Sequence, residues 1–172
     1  MSVGTIVVLA LLAFIGTTIF KGVRIVPQGY KWIVQRLGKY HTTLGPGLNF
    51  VIPYIDEVAY KITTKDIVLD IPSQEVITRD NAVLVMNAVA YINLTTPEKA
   101  VYGIENYIWA IQNLVQTSLR SIVGEMDLDD ALSSRDHIKA KLKAAISDDI
   151  SDWGITLKTV EIQDIQPSHT MQ

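Results

Sequence analysis

The side chains best suited to chemistry are scattered along this chain. Three histidines, His41, His137 and His169, could ligate a metal or carry a proton, but they lie far apart and none forms an H-E-x-x-H or similar ligand pair. His137 falls in a charged helical stretch, where a solvated imidazole is the simpler reading. With no cysteine, a thiolate nucleophile, a disulfide framework and a Cys-ligated metal are all excluded. There is no G-x-S-x-G elbow, no phosphate-binding P-loop and no G-x-G-x-x-G. Ser118 and Ser121 read as small interface residues on a helix, and nothing points to a Ser–Lys dyad. Asp148, Asp149 and Asp152 read as a solvated helix face ahead of a cation site. No catalytic, cofactor-binding or metal-ligating residue is assigned, and the chain is not expected to be an enzyme. A net charge of −3 without a basic stripe gives no support for nucleic-acid binding.

What remains is the scaffolding, and its strongest signal is at the start. Residues 2–20, SVGTIVVLALLAFIGTTIF, carry no charge, and eleven of them are Val, Ile, Leu or Phe. Each of those favours the bilayer centre by about 0.3–0.6 kcal/mol, so the sum favours insertion by a few kcal/mol. At 1.5 Å per residue the stretch covers about 28 Å, close to the hydrocarbon thickness. A buried core helix would carry polar residues on one face. A cleaved signal peptide would need a basic start and a small-residue cleavage site. The segment 1–22 is therefore expected to anchor the chain in a membrane. Lys21, Arg24, Lys31, Arg36 and Lys39 follow it with no acid before Asp56. That excess places the domain on the cytoplasmic side and the short N-terminus outside. The same five charges are candidates for contact with anionic headgroups.

Beyond the anchor the pattern is α+β. Tyr30–Leu37 alternates and predicts a strand with Tyr30, Trp32 and Val34 on one face. Residues 44–56, LGPGLNFVIPYID, are apolar yet interrupted by Pro46 and Pro53, which oppose regular structure. Leu48, Phe50, Val51, Ile52 and Tyr54 are candidates for membrane contact. The competing reading, favoured for most of these side chains, is a loop packed over the core. Strands are predicted at 57–64, 66–71 and 74–78. The last pairs by a hairpin with a long strand at 82–94, whose apolar face is Leu84, Met86, Ala88, Ala90, Ile92 and Leu94. Thr96-Pro97-Glu98 starts one helix, and Asn106 caps another running to Gly124 with the stripe Ile108, Ile111, Val115, Leu119 and Ile122. Ser134 caps a third, with the stripe Ile138, Leu142, Ala145, Ile150 and Trp153, ending at Gly154. Ile155–Ile165 closes the pattern as a strand. On the third helix, Lys139, Lys141 and Lys143 lie toward one end and Asp148, Asp149 and Asp152 toward the other. Such a split could pair head to tail between copies, although a solvated face is the simpler account.

The order of these segments resembles the stomatin/prohibitin/flotillin (SPFH, or band 7) family, and is most similar to the bacterial QmcA-like paraslipins. The resemblance rests on VPQGYKWIVQRLGKYHTTLGPGLNFVIPYIDEV, VLDIPSQEVITRDNAV and WGITLKTVEIQDIQP, and with the anchor it covers nearly the whole chain. It implies an N-terminal transmembrane helix over 1–22 and an SPFH domain of mainly antiparallel strands and packed helices over 23–166. Residues 167–172 would begin a long C-terminal helix, with Ser168 as its N-cap, in a longer protein. It implies a scaffold in the bacterial inner membrane that homo-oligomerises into a large ring or cage, organises a membrane microdomain, and needs no cofactor. Expected partners are membrane lipid, further copies of the chain, and a membrane protease or an NfeD-like protein. The alternative is a non-catalytic accessory subunit of a membrane protease.

Overall fold

The computed structural model describes residues 3–168. These fall into two compact units that meet between Thr64 and Lys65. The first begins with α1 (Val3–Gly22), a helix long and apolar enough to cross a membrane and buried by protein only at its last residue, Gly22. The hydroxyls of Thr17 and Thr18 are satisfied within the helix. Thr17 donates to the carbonyls of Ala13 and Phe14, both at 2.9 Å, and Thr18 donates to Phe14 at 2.8 Å. Such back-bonding removes the cost of carrying a hydroxyl into hydrocarbon.

Five short strands follow: β1 (Val23–Val26), β2 (Tyr30–Arg36), β3 (Lys39–Leu44), β4 (Gly47–Phe50) and β5 (Asp56–Thr63). β1 and β4 form an antiparallel ribbon, and β3-β2-β5 form an antiparallel sheet. Pro46 and Pro53 flank β4 rather than interrupting it, which is how a strand arises inside a segment read as loop. The alternation expected in β2 holds for Trp32 and Val34, which pack in one core, while Tyr30 at the strand start is exposed. The register with β5 shifts between Ile33 and Val34 because β5 carries one extra residue there, Ala59, and Ile33 is buried apart from that core. Val26, Val34, Leu44 and Val51 make the small core, with Trp32 and Val58 against it.

The second unit is a three-stranded antiparallel sheet, β6 (Ile67–Ile77), β7 (Val83–Leu94) and β8 (Ile155–Pro167), in the order β6-β7-β8. Between β7 and β8 the chain forms α2 (Pro97–Gly103), α3 (Tyr107–Gly124), α4 (Leu128–Ser133) and α5 (Arg135–Asp152). α3 packs on β6, α5 packs on β8, and the two helices pack on each other. The apolar face of β7 is buried as its period-two pattern requires, from Leu84 to Leu94. The two strands expected at 66–71 and 74–78 are one strand. Pro72 and Ser73 sit at a register shift, where an edge strand tolerates the missing amide of proline.

The helices correct the sequence reading in detail. Asn106 does cap α3, its carbonyl oxygen accepting from the Trp109 amide at 3.1 Å. Ile108 is exposed in the first turn, so the buried stripe starts at Ile111. In α5 the stripe is Ile138, Leu142, Ile146 and Ile150, at strict four-residue spacing. Ala145 faces outward and Trp153 is only half-buried. Ser134 occupies the N-cap position without a side-chain cap bond. α4 spans six residues, too short for a periodic signal. Ser168 donates its amide to the Val83 carbonyl at 2.8 Å, just past the end of β8. The remainder of the expected C-terminal helix, His169 to Gln172, lies outside the described residues.

Gly154 closes the α5–β8 turn with φ +69°, and a Cβ there would lie 2.4 Å from the Thr96 carbonyl oxygen. Its own carbonyl accepts from the amides of Thr95 and Thr96, tying the end of β7 to the start of β8. The phase of α5 makes a direct expectation. Ile146→Ala should destabilise the chain by about 2–5 kcal/mol, because it opens a cavity at a fully buried site. Ala145→Gln, one residue away on the outer face, should change stability by less than about 0.5 kcal/mol. Denaturant unfolding in mild detergent compares the two.

Candidate membrane-contact site

The end of α1 and the β1–β4 ribbon are built as one piece. The carbonyl of Gly22 accepts from the Val51 amide at 2.9 Å, which joins the last helical residue to the residue just after β4. A Cβ on Gly22 would lie 2.7 Å from the Val51 carbonyl oxygen, so the junction closes only around glycine.

The ribbon register then sorts side chains onto two faces. Ile25 stands opposite Leu48, and Val23 opposite Phe50. Opposite residues in an antiparallel pair share a face. Ile25, Leu48 and Phe50 are 70%, 64% and 69% exposed, a continuous apolar surface against which no protein packs. Arg24 and Val26 point to the other side, where Val26 enters the core. Ile52 and Tyr54 extend the exposed apolar surface beyond β4. The favoured reading of 44–56 as core packing is therefore corrected for Leu48, Phe50, Ile52 and Tyr54, and holds for Leu44 and Val51. The reason is period two: β4 and its extension bury alternate positions, and proline placement hides that from the sequence.

The apolar turn after β4 is held by one carboxylate. Asp56 accepts from Arg36 at 2.7 and 3.0 Å, in a bidentate pair across β2 and β5. The same carboxylate accepts from the Ile52 amide at 2.9 Å, and the Asp56 amide donates to the Ile52 carbonyl at 3.0 Å. Tyr54 at the turn tip has φ +79°, a strained conformation for a bulky residue that these bonds enforce. The Arg36 guanidinium holds the Asp56 carboxyl at about 2, well below the ordinary carboxylate range. Arg36, expected among the headgroup charges, is thus engaged inside the unit. Lys21 and Lys39 are exposed and Lys31 is half-buried. The Lys21 ammonium lies 5.9 Å from the centre of the Tyr54 ring.

In the second unit the charges of α5 are partly engaged within the chain. Lys139 pairs with Glu161 on β8, and the Lys143 ammonium donates to the Lys158 carbonyl at 3.3 Å. Lys141, Asp148, Asp149 and Asp152 are exposed. Among the described residues no group of three or more His, Asp or Glu side chains is placed to hold a metal ion. Ile25, which joins the site, carried no strand signal in the sequence, because only its pairing with Leu48, twenty-three positions away, places it on the ribbon face.

A family model described as "SPFH domain / Band 7 family" matches residues 24–172. An uncharacterised protein of Mycobacterium tuberculosis is 35% identical over 98% of this chain, which spans 44% of that relative. An uncharacterised protein of Methanocaldococcus jannaschii is 41% identical over 87% of this chain and 74% of its own length. Human stomatin-like protein 2, mitochondrial, is 39% identical over 81% of this chain and 39% of its own length. The chain thus spans less than half the length of the mycobacterial and human relatives.

The depressed Asp56 pKa fixes a sign for acid stability. A carboxyl whose folded pKa lies below its unfolded value of about 4 stabilises the fold fully above that pH. The contribution is lost as pH falls from about 4 through 2. The melting temperature of the wild type should exceed that of Asp56→Asn at pH 6, and the gap should narrow sharply by pH 2. A gap as large at pH 2 as at pH 6 would contradict the assignment.

Proposed function

The chain belongs to the SPFH domain / Band 7 family, and on that premise we propose that it is a membrane-anchored scaffold subunit rather than a catalyst. In this reading α1 crosses the bilayer of a bacterial inner membrane with its N-terminus outside. The exposed face of the β1–β4 ribbon lies in the headgroup region on the cytoplasmic side. Many copies, held in one orientation, pack side by side into a closed ring or cage that encloses a patch of membrane.

The observation that carries the reading is the covalent and hydrogen-bonded continuity between an apolar helix and an apolar ribbon face. Leaving Ile25, Leu48 and Phe50 in water forgoes about 1.5–3 kcal/mol for each large side chain. Lipid beside the anchor recovers it without a protein partner. The bonds through Gly22, Val51 and Asp56 hold the face in fixed relation to the helix end.

Assembly follows from the anchor. A ring needs one repeated heterologous contact that closes about an axis. Insertion aligns every copy and confines it to one surface, which raises the effective concentration of neighbours and lowers the entropy still to be lost. Contacts too weak in solution then suffice. On α5, Arg135, Asp136, Lys141, Asp148, Asp149 and Asp152 are exposed charges open to a neighbouring copy.

The absence of cysteine gives a direct test of the lipid face. A single cysteine at Phe50→Cys, labelled with an environment-sensitive dye in vesicles, should be quenched by lipids carrying a nitroxide near the headgroup. The same dye at Lys141→Cys should not be. Equal quenching at the two positions, or none at either, would remove the lipid assignment of the ribbon.

Assembly is tested by imaging the native protein extracted in mild detergent. Closed particles of uniform size are expected. Dispersed monomers would overturn the scaffold reading. Stoichiometric recovery of a separate protease with small, open complexes would favour an accessory subunit of that protease.

A further inference from the structure

The inner side of the ribbon carries a second feature. A cleft of about 350 Å³ is lined by Arg24, Trp32, Val51, Asp56, Glu57 and Lys61. We propose that this cleft binds the phosphodiester headgroup of a membrane lipid, one per chain, beside the point where α1 leaves the bilayer. The inference rests on the reading of α1 as a membrane span.

Three observations support it. The first is charge. Among the described residues the ion pairs are Arg36–Asp56, Arg79–Asp127 and Lys139–Glu161, and none of them involves Arg24, Lys61 or Glu57. Arg36 neutralises Asp56, so the cleft presents two cations against the single free carboxylate of Glu57. A net positive cleft suits a singly charged phosphodiester. Arg24 offers planar paired donors to its oxygens and Lys61 a compact ammonium.

The second is positioning. Lys61 stands directly opposite Trp32 in the β2–β5 register, and its ammonium lies 4.5 Å from the centre of the indole. A cation over an aromatic face is held by the ring while its remaining donors stay available. The Lys61 charge is thus fixed at the cleft mouth before any ligand arrives. Glu57 is placed to accept from the hydroxyl or ammonium that follows the phosphate in a glycerol or ethanolamine headgroup.

The third is depth. Arg24 is two residues past the end of α1, so at about 3.3 Å per extended residue it lies at most about 7 Å from the helix end. Headgroup layers occupy about 5–8 Å on each side of the hydrocarbon. Val51, whose amide is bonded to the Gly22 carbonyl, lines the cleft. The cleft therefore stays within reach of the headgroup layer whenever α1 spans. An aqueous phosphate ester has no comparable reason to meet it there.

The test uses the full chain extracted from phosphatidylglycerol- and phosphatidylethanolamine-containing membranes in mild detergent, with retained phospholipid per chain counted by native mass spectrometry. Wild type should keep about one phospholipid through exchange into lipid-free detergent. Arg24→Gln/Lys61→Gln should keep about tenfold less, as expected for loss of charge-assisted hydrogen bonds. Lys99→Gln/Lys158→Gln, which removes the same charge at exposed positions in the second unit, should keep as much as wild type. Equal loss in both double variants would reduce the effect to general surface charge and overturn the site. Two arms separate the ligand's source. Added diacylglycerol, which lacks the phosphodiester, should not displace the bound lipid. Displacement by low-millimolar inorganic phosphate would make this a phosphate site and overturn the lipid assignment. The anchor reading is checked independently by alkaline carbonate washing. Arg24→Gln/Lys61→Gln should stay with the membrane. Release of the wild type by carbonate would sink the span itself, and with it this proposal.

Discussion

A helix of twenty residues that is apolar on every side has no stable place in water, and nothing in its own unit covers it. That constraint governs the first unit. In the proposed reading the helix is given to lipid, where Thr17 and Thr18 already bond inward. Everything within a few residues of Gly22 must then be compatible with a membrane surface. The structure meets this requirement with a two-stranded ribbon, whose alternation allows one strand pair to serve two environments. Ile25 and Leu48 turn outward together, while Val26 turns inward to the core.

The ribbon would be of little use if it moved freely against the helix. Its position is fixed by two small features that resist substitution for different reasons. Gly22 allows backbone to approach backbone where any side chain would collide with Val51. Asp56 serves a side chain and a main-chain amide at once, so the turn that carries Tyr54 is braced from the neighbouring sheet. The Arg36 partnership keeps that carboxylate ionised under all ordinary conditions.

The second unit shows the same economy in a different setting. The turn between β6 and β7 is tied to the α3–α4 connection. The Arg79 amide bonds the Met126 carbonyl at 2.9 Å, Arg79 pairs with Asp127, and Asp80 accepts from the Leu128 amide at 3.2 Å. Gln74, buried beneath α3, donates to the Gln116 carbonyl and accepts from Arg120, both at 3.0 Å. These polar groups are matched within the fold and tie its elements together. Exposed ion pairs such as Lys139–Glu161 add little stability, but they draw charge away from any contact between copies.

The sequence alone determined the features that depend on composition and local period. The anchor needs only a run of apolar residues of sufficient length. The face of β7 needs only alternation, and the cap of α3 needs only Asn106 ahead of an apolar stripe. The order of segments also sufficed to identify the family. Tertiary structure decided whatever depends on register or on a partner distant in the chain. Whether Leu48 and Phe50 are core or surface follows from their pairing with Ile25 and Val23, which no local pattern specifies. The bulge at Pro72-Ser73 shifts the phase of β6 by a residue, so that Ile71 and Gln74 are both buried, and a one-residue shift moves a side chain to the opposite face. The phase of α5 turned on Ala145 against Ile146, neighbours that a helical period of 3.6 leaves nearly equivalent until α3 and β8 are packed against one side. Arg36 read as a surface charge until β5 brought Asp56 beside it, because an ion pair between strands is a property of their alignment and not of either strand alone.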